Sequence, residues 1–391
     1  MMMKTVTAPS YSGPKVRFRN GENNFFTELR QRVDAYFEGS GRARTANFYM
    51  HFRTAVLLAA YVGNMALILL GGLNLWAVLG LLVLQGALTA AVGFNVAHDA
   101  IHGSYSSNPW VNRLLSYSMN LIGGSSYVWS LSHNIVHHTW TNVHGVDDDL
   151  VVASFIRLSP HQKWRKVHRY QHLFAWPVYG LATIFWVTVK DFKKMADPSI
   201  GPLKRKHPAK EWAWLVFTKA FYFTYSVALP LVLMDITWWQ FLIGYAAWHL
   251  TAGIILGVVF QLAHVVEETG HPVPSETGDI DNAWAQHQLA TTHNFARKSG
   301  FLAWYVGGLN FQIEHHLFPK ICSVHYPALS KIVKETADKH GVPYLEHNTM
   351  RGAVLSHYRA LRMLGNKHVP VGAFSPLRRE EKPEALAATT V

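Results

Sequence analysis

The chain has 391 residues, 49% hydrophobic and 15% charged, with 36 Lys+Arg against 24 Asp+Glu and a formal net charge of +12. Such a balance suits nucleic acid, an anionic membrane surface or an acidic partner, and nucleic acid is set aside because no recognisable reading motif accompanies the charge. The single cysteine, Cys322, excludes an internal disulfide and a thiolate metal cage, and the apolar residues are too clumped for two average soluble domains.

Residues 1–53 read as a polar N-terminal arm carrying Lys15, Arg17, Arg19, Arg30 and Arg32, without the apolar core of a secretory signal. An amphipathic helix is expected over residues 25–37. Crossing the ~30 Å hydrocarbon core takes about 20 apolar residues in a helix, and four stretches qualify. Residues 54–70 and 75–96 flank the turn Gly71-Gly72-Leu73-Asn74 and form one hairpin, within 54–97; residues 215–234 and 238–262 flank Asp235-Ile236-Thr237 and form a second, within 215–262. No Lys or Arg lies between Thr54 and Ala97 or between Ala220 and His264. The positive-inside rule then places the N-terminal arm, the middle segment 98–214 and the segment 263–369 on the cytoplasmic side. The aromatic stretch 172–189 in the middle segment reads as a helix lying on or dipping into the membrane. A fifth span is the rival, but an odd number would put the third histidine cluster on the wrong side. Residues 370–391 read as a loose C-terminal tail. The expected fold is an all-α integral membrane protein, four membrane helices as stem and a cytoplasmic helical cap above.

Three histidine clusters sit beside these apolar runs: His98-Asp99-Ala100-Ile101-His102, His133-Asn134-Ile135-Val136-His137-His138 and Gln312-Ile313-Glu314-His315-His316. Imidazole is a strong ligand for iron, zinc and copper. Helical residues i and i+4 share a face, so His98 pairs with His102 and His133 with His137, while His138 points about 100° from His137. An HxxHH helix can thus serve two neighbouring metals. The clusters and His264, at the end of the last span, are expected to meet on one side of the membrane. His287 and His293 read first as ordinary surface histidines, with hydrogen bonds that orient ligands as the alternative. His249, mid-span, is a candidate lining residue of a substrate cavity. Zinc held by three histidines would support hydrolysis but would leave most of these imidazoles unused. Ligand counting favours two redox metals, and iron suits O2 chemistry. A metal transporter would place its ligands near the bilayer midplane, whereas these sit at span ends.

The first box resembles the HxxxH of the membrane fatty acid desaturases, the second their HxxHH, and Gln312 to His316 the QxxHH box of the front-end subgroup. Thr139-Trp140-Thr141-Asn142, Gly145 and Asp147-Asp148-Asp149 also look like that family, and the likeness spans residues 54–327. The resemblance implies a non-haem di-iron centre that uses O2 and two electrons to remove two hydrogens from an acyl chain. The cis double bond would enter between an existing one and the carboxyl end (delta-5 or delta-6-like), on an acyl lipid or acyl-CoA. It implies His98, His102, His133, His137, His138, His315 and His316 as ligands, His264 as the matching extra histidine, and Gln312, His287 and Asp149 as neighbours of the metals. Related hydroxylases or ketolases acting on alkanes, sterols or carotenoids share the boxes; the QxxHH form favours desaturation. The HPGG haem motif of fused cytochrome domains is not found, His271-Pro272-Val273-Pro274 being different, so electrons are expected from a separate ferredoxin or b-type cytochrome with its reductase. A basic face of Arg157, Lys163, Arg165, Lys166, Arg169, Lys193, Lys194, Lys204, Arg205 and Lys206 would attract it, or hold anionic lipid headgroups or CoA phosphates. Trp129, Trp238, Trp248, Trp284 and Trp304 are candidates for the wall of an apolar tunnel leading from the metals between the spans.

Overall fold

The computed structural model describes residues 13–19, 24–150, 153–370 and 372–374, and its elements are nearly all helical. Helix α1 (Asn24–Ser40) buries Phe25, Leu29, Val33 and Phe37, a stripe at i, i+4 spacing. Helices α2 (Phe48–Leu70) and α3 (Leu75–His102) form the first hairpin, its turn eased by Gly72 at φ +58°. A wide-turned segment, α4 (Ser130–His137), follows. Helices α5 (Lys166–Gly180) and α6 (Ala182–Ala196) are bent by 55° at their junction. Helices α7 (Ala209–Leu233) and α8 (Trp238–His264) form the second hairpin. Short helices α9 (Trp284–Thr291) and α10 (Gln312–Leu317) lead to α11 (Tyr326–Lys339) and α12 (Met350–Leu364).

Helices α2, α3, α7 and α8 are each long and apolar enough to cross a membrane, and only 33 to 39% of each span is buried within the protein. Phe48, Leu70, Trp76, Val232 and Trp238 lie exposed on them, a surface that lipid must cover. The spans run beyond the apolar stretches read from sequence. The Asn47 side chain accepts the Met50 N–H and starts α2 early, α3 continues to His102, and α8 ends at His264. The first box and His264 therefore lie on the last turns of two membrane helices.

Small residues set the close crossings. A side chain at Gly86 of α3 would run into the Trp248 carbonyl of α8, and one at Gly253 of α8 into the Gly180 and Tyr179 carbonyls of α5. Trp248 Nε1 donates to Thr89 Oγ1 at 2.8 Å across the first contact. Lys219 lies inside α7, buried, where its ammonium meets Asp191 Oδ2 at 2.8 Å and the Gly123 carbonyl at 2.6 Å. The single helix expected over 172–189 is two: the Leu181 N–H turns back to the Pro177 and Val178 carbonyls, and the chain bends there.

Around the ends of α3 and α8 gather α1, α9, α10 and α11, whose apolar faces form one core. Three two-residue strand pairs tie loops together: Arg17–Phe18 parallel to Asp279–Ile280, Ser199–Ile200 antiparallel to Leu203–Lys204, and Asn294–Phe295 parallel to Glu346–His347. At the start of the expected tail, Ala373 and Phe374 are buried in one apolar cluster with Leu150, Ala175 and Tyr179. The rest of that tail, from residue 375, and the first twelve residues of the N-terminal arm lie outside the described residues.

Candidate metal centre

The local backbone that presents the histidines is wider than an α-helix at two places. The His98 N–H bonds the Gly93 carbonyl, five residues back, and the His138 N–H bonds the His133 carbonyl, again five back. Such π-type turns are rare and are frequently found at functional sites. The second box is thus not the regular α-helix assumed from its spacing.

All eight predicted histidines converge and are buried. His98, His102, His133 and His315 form one group whose ligand atoms lie within 4.8 Å of one another; His137, His264 and His316 form a second, and His138 joins His315 and His316 in a third. Ring centroids are 4.4 Å apart for His98 and His315, 4.6 Å for His137 and His264, and 4.3 Å for the stacked pair His138 and His316. The second box therefore divides itself: His133 turns to one group, His137 to the other, and His138 lies between.

The outer nitrogens of several rings are engaged. His137 Nδ1 donates to Asp147 Oδ2 at 2.9 Å, and His316 Nδ1 donates to Gln288 Oε1 at 2.9 Å. His264 Nδ1 lies 3.3 Å from the Thr291 carbonyl and His315 Nδ1 3.2 Å from the Tyr326 hydroxyl. Asp149 approaches His133 Nδ1 at 3.5 Å while facing Lys190 and Lys194 at 3.6 and 3.9 Å. The inner atoms are the reverse case. Nε2 of His102, His133, His137, His138, His264, His315 and His316 is buried with no hydrogen-bond partner among the described residues. Each such atom would cost about 1–3 kcal/mol if left unpaired. Burial pushes His133 down to about 3 and drives His138, His315 and His316 well below the ordinary imidazole range. His137 is pushed up instead, burial being outweighed by its Asp147 partner. Imidazoles held from behind with bare inner nitrogens are the form in which histidine binds metal, so the residues fit a two-metal centre.

Other expectations divide. Gln312 is buried at the start of α10, but the amide that meets a box histidine is Gln288 of α9, which also accepts from Thr141 Oγ1 at 2.9 Å. His287 and His293 are both buried rather than on the surface, His287 against Phe18. His249 is hydrogen-bonded to Tyr222 at 2.8 Å and Thr183 at 3.1 Å, and it is absent from the wall of the apolar cavity of about 270 Å³ between the halves of α2, α3, α7 and α8 that lie away from the histidine boxes. Of the proposed wall tryptophans, Trp248 lines that cavity, Trp129 stacks on His133 at 4.2 Å, and Trp284 donates to the His138 carbonyl. Arg157 and Lys194 leave the expected basic face. Arg157 is buried against the Leu364 and Asn366 carbonyls, and the Lys194 side chain turns inward to Asp149. The roles of Asp147, Thr141, Gln288 and Tyr326 were not legible from the sequence. Thr141 and Asp147 left only the signal of lying in the family-like runs Thr139–Asn142 and Asp147–Asp149, and Gln288 and Tyr326 left none.

A model of the fatty acid desaturase family matches residues 73–348. The chain is 36% identical over 371 residues to the sn-1 linoleoyl-lipid 6-desaturase of Arthrospira platensis, covering 93% of this chain and 96% of that protein. It is 37% identical over 351 residues to the protein of the same name from Synechocystis sp., covering 88% and 96%. To the acyl-lipid (8-3)-desaturase of Physcomitrium patens it is 33% identical over 354 residues, covering 90% and 74%. With its apolar spans, its converging imidazoles and these likenesses, the chain belongs to the fatty acid desaturase family, as a membrane-bound oxidoreductase.

Proposed function

We propose that this desaturase inserts a cis double bond into the acyl chain of a membrane lipid, on the carboxyl side of an existing double bond. The observation that carries it is the set of bare, buried Nε2 atoms converging in groups; the relatives named as linoleoyl-lipid 6-desaturases and acyl-lipid (8-3)-desaturases supply the position and carrier. His98, His102, His133 and His315 would hold one iron, His137, His264 and His316 the other, with His138 between them. Two irons held there would supply O2 chemistry, in which O2, two electrons, two protons and the two hydrogens lost by the chain become two waters.

The protein's own work is positioning. Asp147 and Gln288 hold the Nδ1 protons of His137 and His316 and so orient their Nε2 atoms toward the neighbouring imidazoles. Trp129, stacked on His133, presents an apolar surface beside the centre and keeps bulk water from that side. The apolar cavity, walled by Met65, Leu79, Leu82 and Trp248, suits the methyl end of a long chain. The box-bearing ends of α3 and α8 are assigned to the cytoplasmic side by the positive-inside rule. Exposed Lys163, Arg165, Lys166, Arg169, Lys204, Arg205 and Lys206 give that side a surface for an acidic ferredoxin or cytochrome.

A host with a competent electron donor, fed linoleate, should accumulate a more unsaturated lipid, and the product should vanish in His138→Ala. Unchanged lipids with the wild-type chain at normal expression would overturn the assignment, and an inserted oxygen would redirect it to hydroxylation.

A further inference from the structure

Outside the eight-histidine centre, three more potential ligands meet. Candidate donor atoms of Glu268, His293 and His347 lie within 4.8 Å of one another. They come from three separate segments: Glu268 follows the end of α8, His293 precedes the strand Asn294–Phe295, and His347 ends its partner strand just before α12. The two histidines are held by backbone. The His293 N–H donates to the Ala263 carbonyl at 2.8 Å, and the His347 carbonyl accepts from the Ala296 N–H at 2.8 Å. Ser356 Oγ sits 3.4 Å from Glu268 Oε2. The two imidazoles stack with centroids 4.2 Å apart.

The protonation pattern is informative. His293 Nδ1 lies 2.8 Å from the Asn294 carbonyl, which can only accept, so this nitrogen carries the proton. In the neutral ring its Nε2 then presents a lone pair toward Glu268 Oε2, 3.9 Å away. His347 Nε2 is 3.5 Å from the same oxygen and is buried without a hydrogen-bond partner. Both separations exceed the ~2.7–3.2 Å of an N–H···O bond. A lone pair facing a carboxylate is repulsive in a neutral ring, and a cation between them removes the conflict. The spacing fits one: metal–nitrogen and metal–oxygen bonds of about 2.0–2.2 Å at a tetrahedral angle put donor atoms roughly 3.4 Å apart. The backbone carbonyl on the far ring nitrogen is the usual support of a ligating histidine.

We propose that Glu268, His293 and His347 bind a single zinc-type divalent ion, separate from the histidine-box centre. Two imidazole nitrogens and one carboxylate oxygen are its protein ligands, and water takes the fourth position. The ion clips the strand Glu346–His347 and the start of α12 to the end of α8, where His264 sits, so its role is to brace that end rather than to react. The proposal stands independently of the desaturase reading, because it rests on other residues and another metal.

The test uses the full chain in detergent, loaded with iron and zinc and freed of loose metal by gel filtration. Elemental analysis should find about one zinc per chain beside the iron in the wild type, and zinc X-ray absorption should show a nitrogen and oxygen shell with imidazole scattering. His347→Ala and Glu268→Gln should lose the zinc and keep the iron. A chelator that removes only zinc should lower the wild-type Tm to that of His347→Ala, with zinc restoring the wild type alone. Iron content reports whether a variant has folded, and Glu268→Gln decides if His347→Ala does not fold. A wild type that holds no zinc after loading overturns the proposal. So does zinc retained in both variants, or zinc lost only where iron is lost with it.

Discussion

At the scale of single residues, the candidate centre depends on groups that stand behind the imidazoles. Asp147 is the clearest, because its carboxylate holds His137 Nδ1–H and also accepts the Asn142 N–H at 2.9 Å. Removing such a partner costs about 10–100-fold in metal affinity or activity. Asp147→Ala should therefore release iron at correspondingly lower chelator concentration, and Asp147→Asn, whose amide oxygen still accepts, should recover part of the loss. Gln288→Ala should behave similarly through His316, a milder effect because Thr141 Oγ1 also lies 3.2 Å from that ring. The sequence announced the eight imidazoles through their repeated spacing. It was silent on Gln288 and Tyr326, because a lone glutamine or tyrosine far along the chain carries no local mark of the histidine it will meet.

Elements are held in register by a few contacts where the chain leaves no slack. Lys219 of α7 and Asp191 of α6 are both buried, and breaking one partner of a buried pair costs about 3–5 kcal/mol by stranding the other charge. Lys219→Met should sharply lower the thermal stability of the solubilised protein, and the double variant Lys219→Met with Asp191→Leu should recover much of it. Gly253→Val should strike the Gly180 and Tyr179 carbonyls and separate α8 from α5, an overpacking worth about 1–3 kcal/mol, visible as a lower Tm with reduced iron retention. Glu28 joins α1 to α11 through Lys339 and His340, both at 2.8 Å, and their hydrogen bonds hold its carboxyl below the ordinary 4.5. A lowered carboxyl contributes fully above its unfolded value and is lost as pH falls through the folded one. Amide protection in α1, measured as exchange relative to the intrinsic rate at each pH, should therefore fall on acidification below the ordinary carboxylate range, a dependence that Glu28→Gln abolishes.

At the scale of the whole molecule, two hairpins bring the ends of α3 and α8 together, and the cap helices close over them. The net charge of +12 is expressed on the cap as the exposed lysines and arginines around residues 163–169 and 204–206. If that face receives an acidic electron carrier, reduction should slow steeply as ionic strength rises, and reversing Lys204, Arg205 and Lys206 to glutamate should slow it at low salt, measured by stopped-flow with the carrier. The sequence by itself determined the four spans, through unbroken apolar length, and the histidine set, through spacing that survives small changes of helix geometry. Tertiary structure alone decided the rest: which imidazole joins which group, because that depends on the wide turns at Gly93 and His133; which basic residues reach the surface, because Arg157 and Lys194 found buried acceptors; and the meeting of Glu268, His293 and His347. Contacts between residues far apart in the chain are set by how helices cross, and crossing geometry is a property of the packed faces together, not of any one stretch.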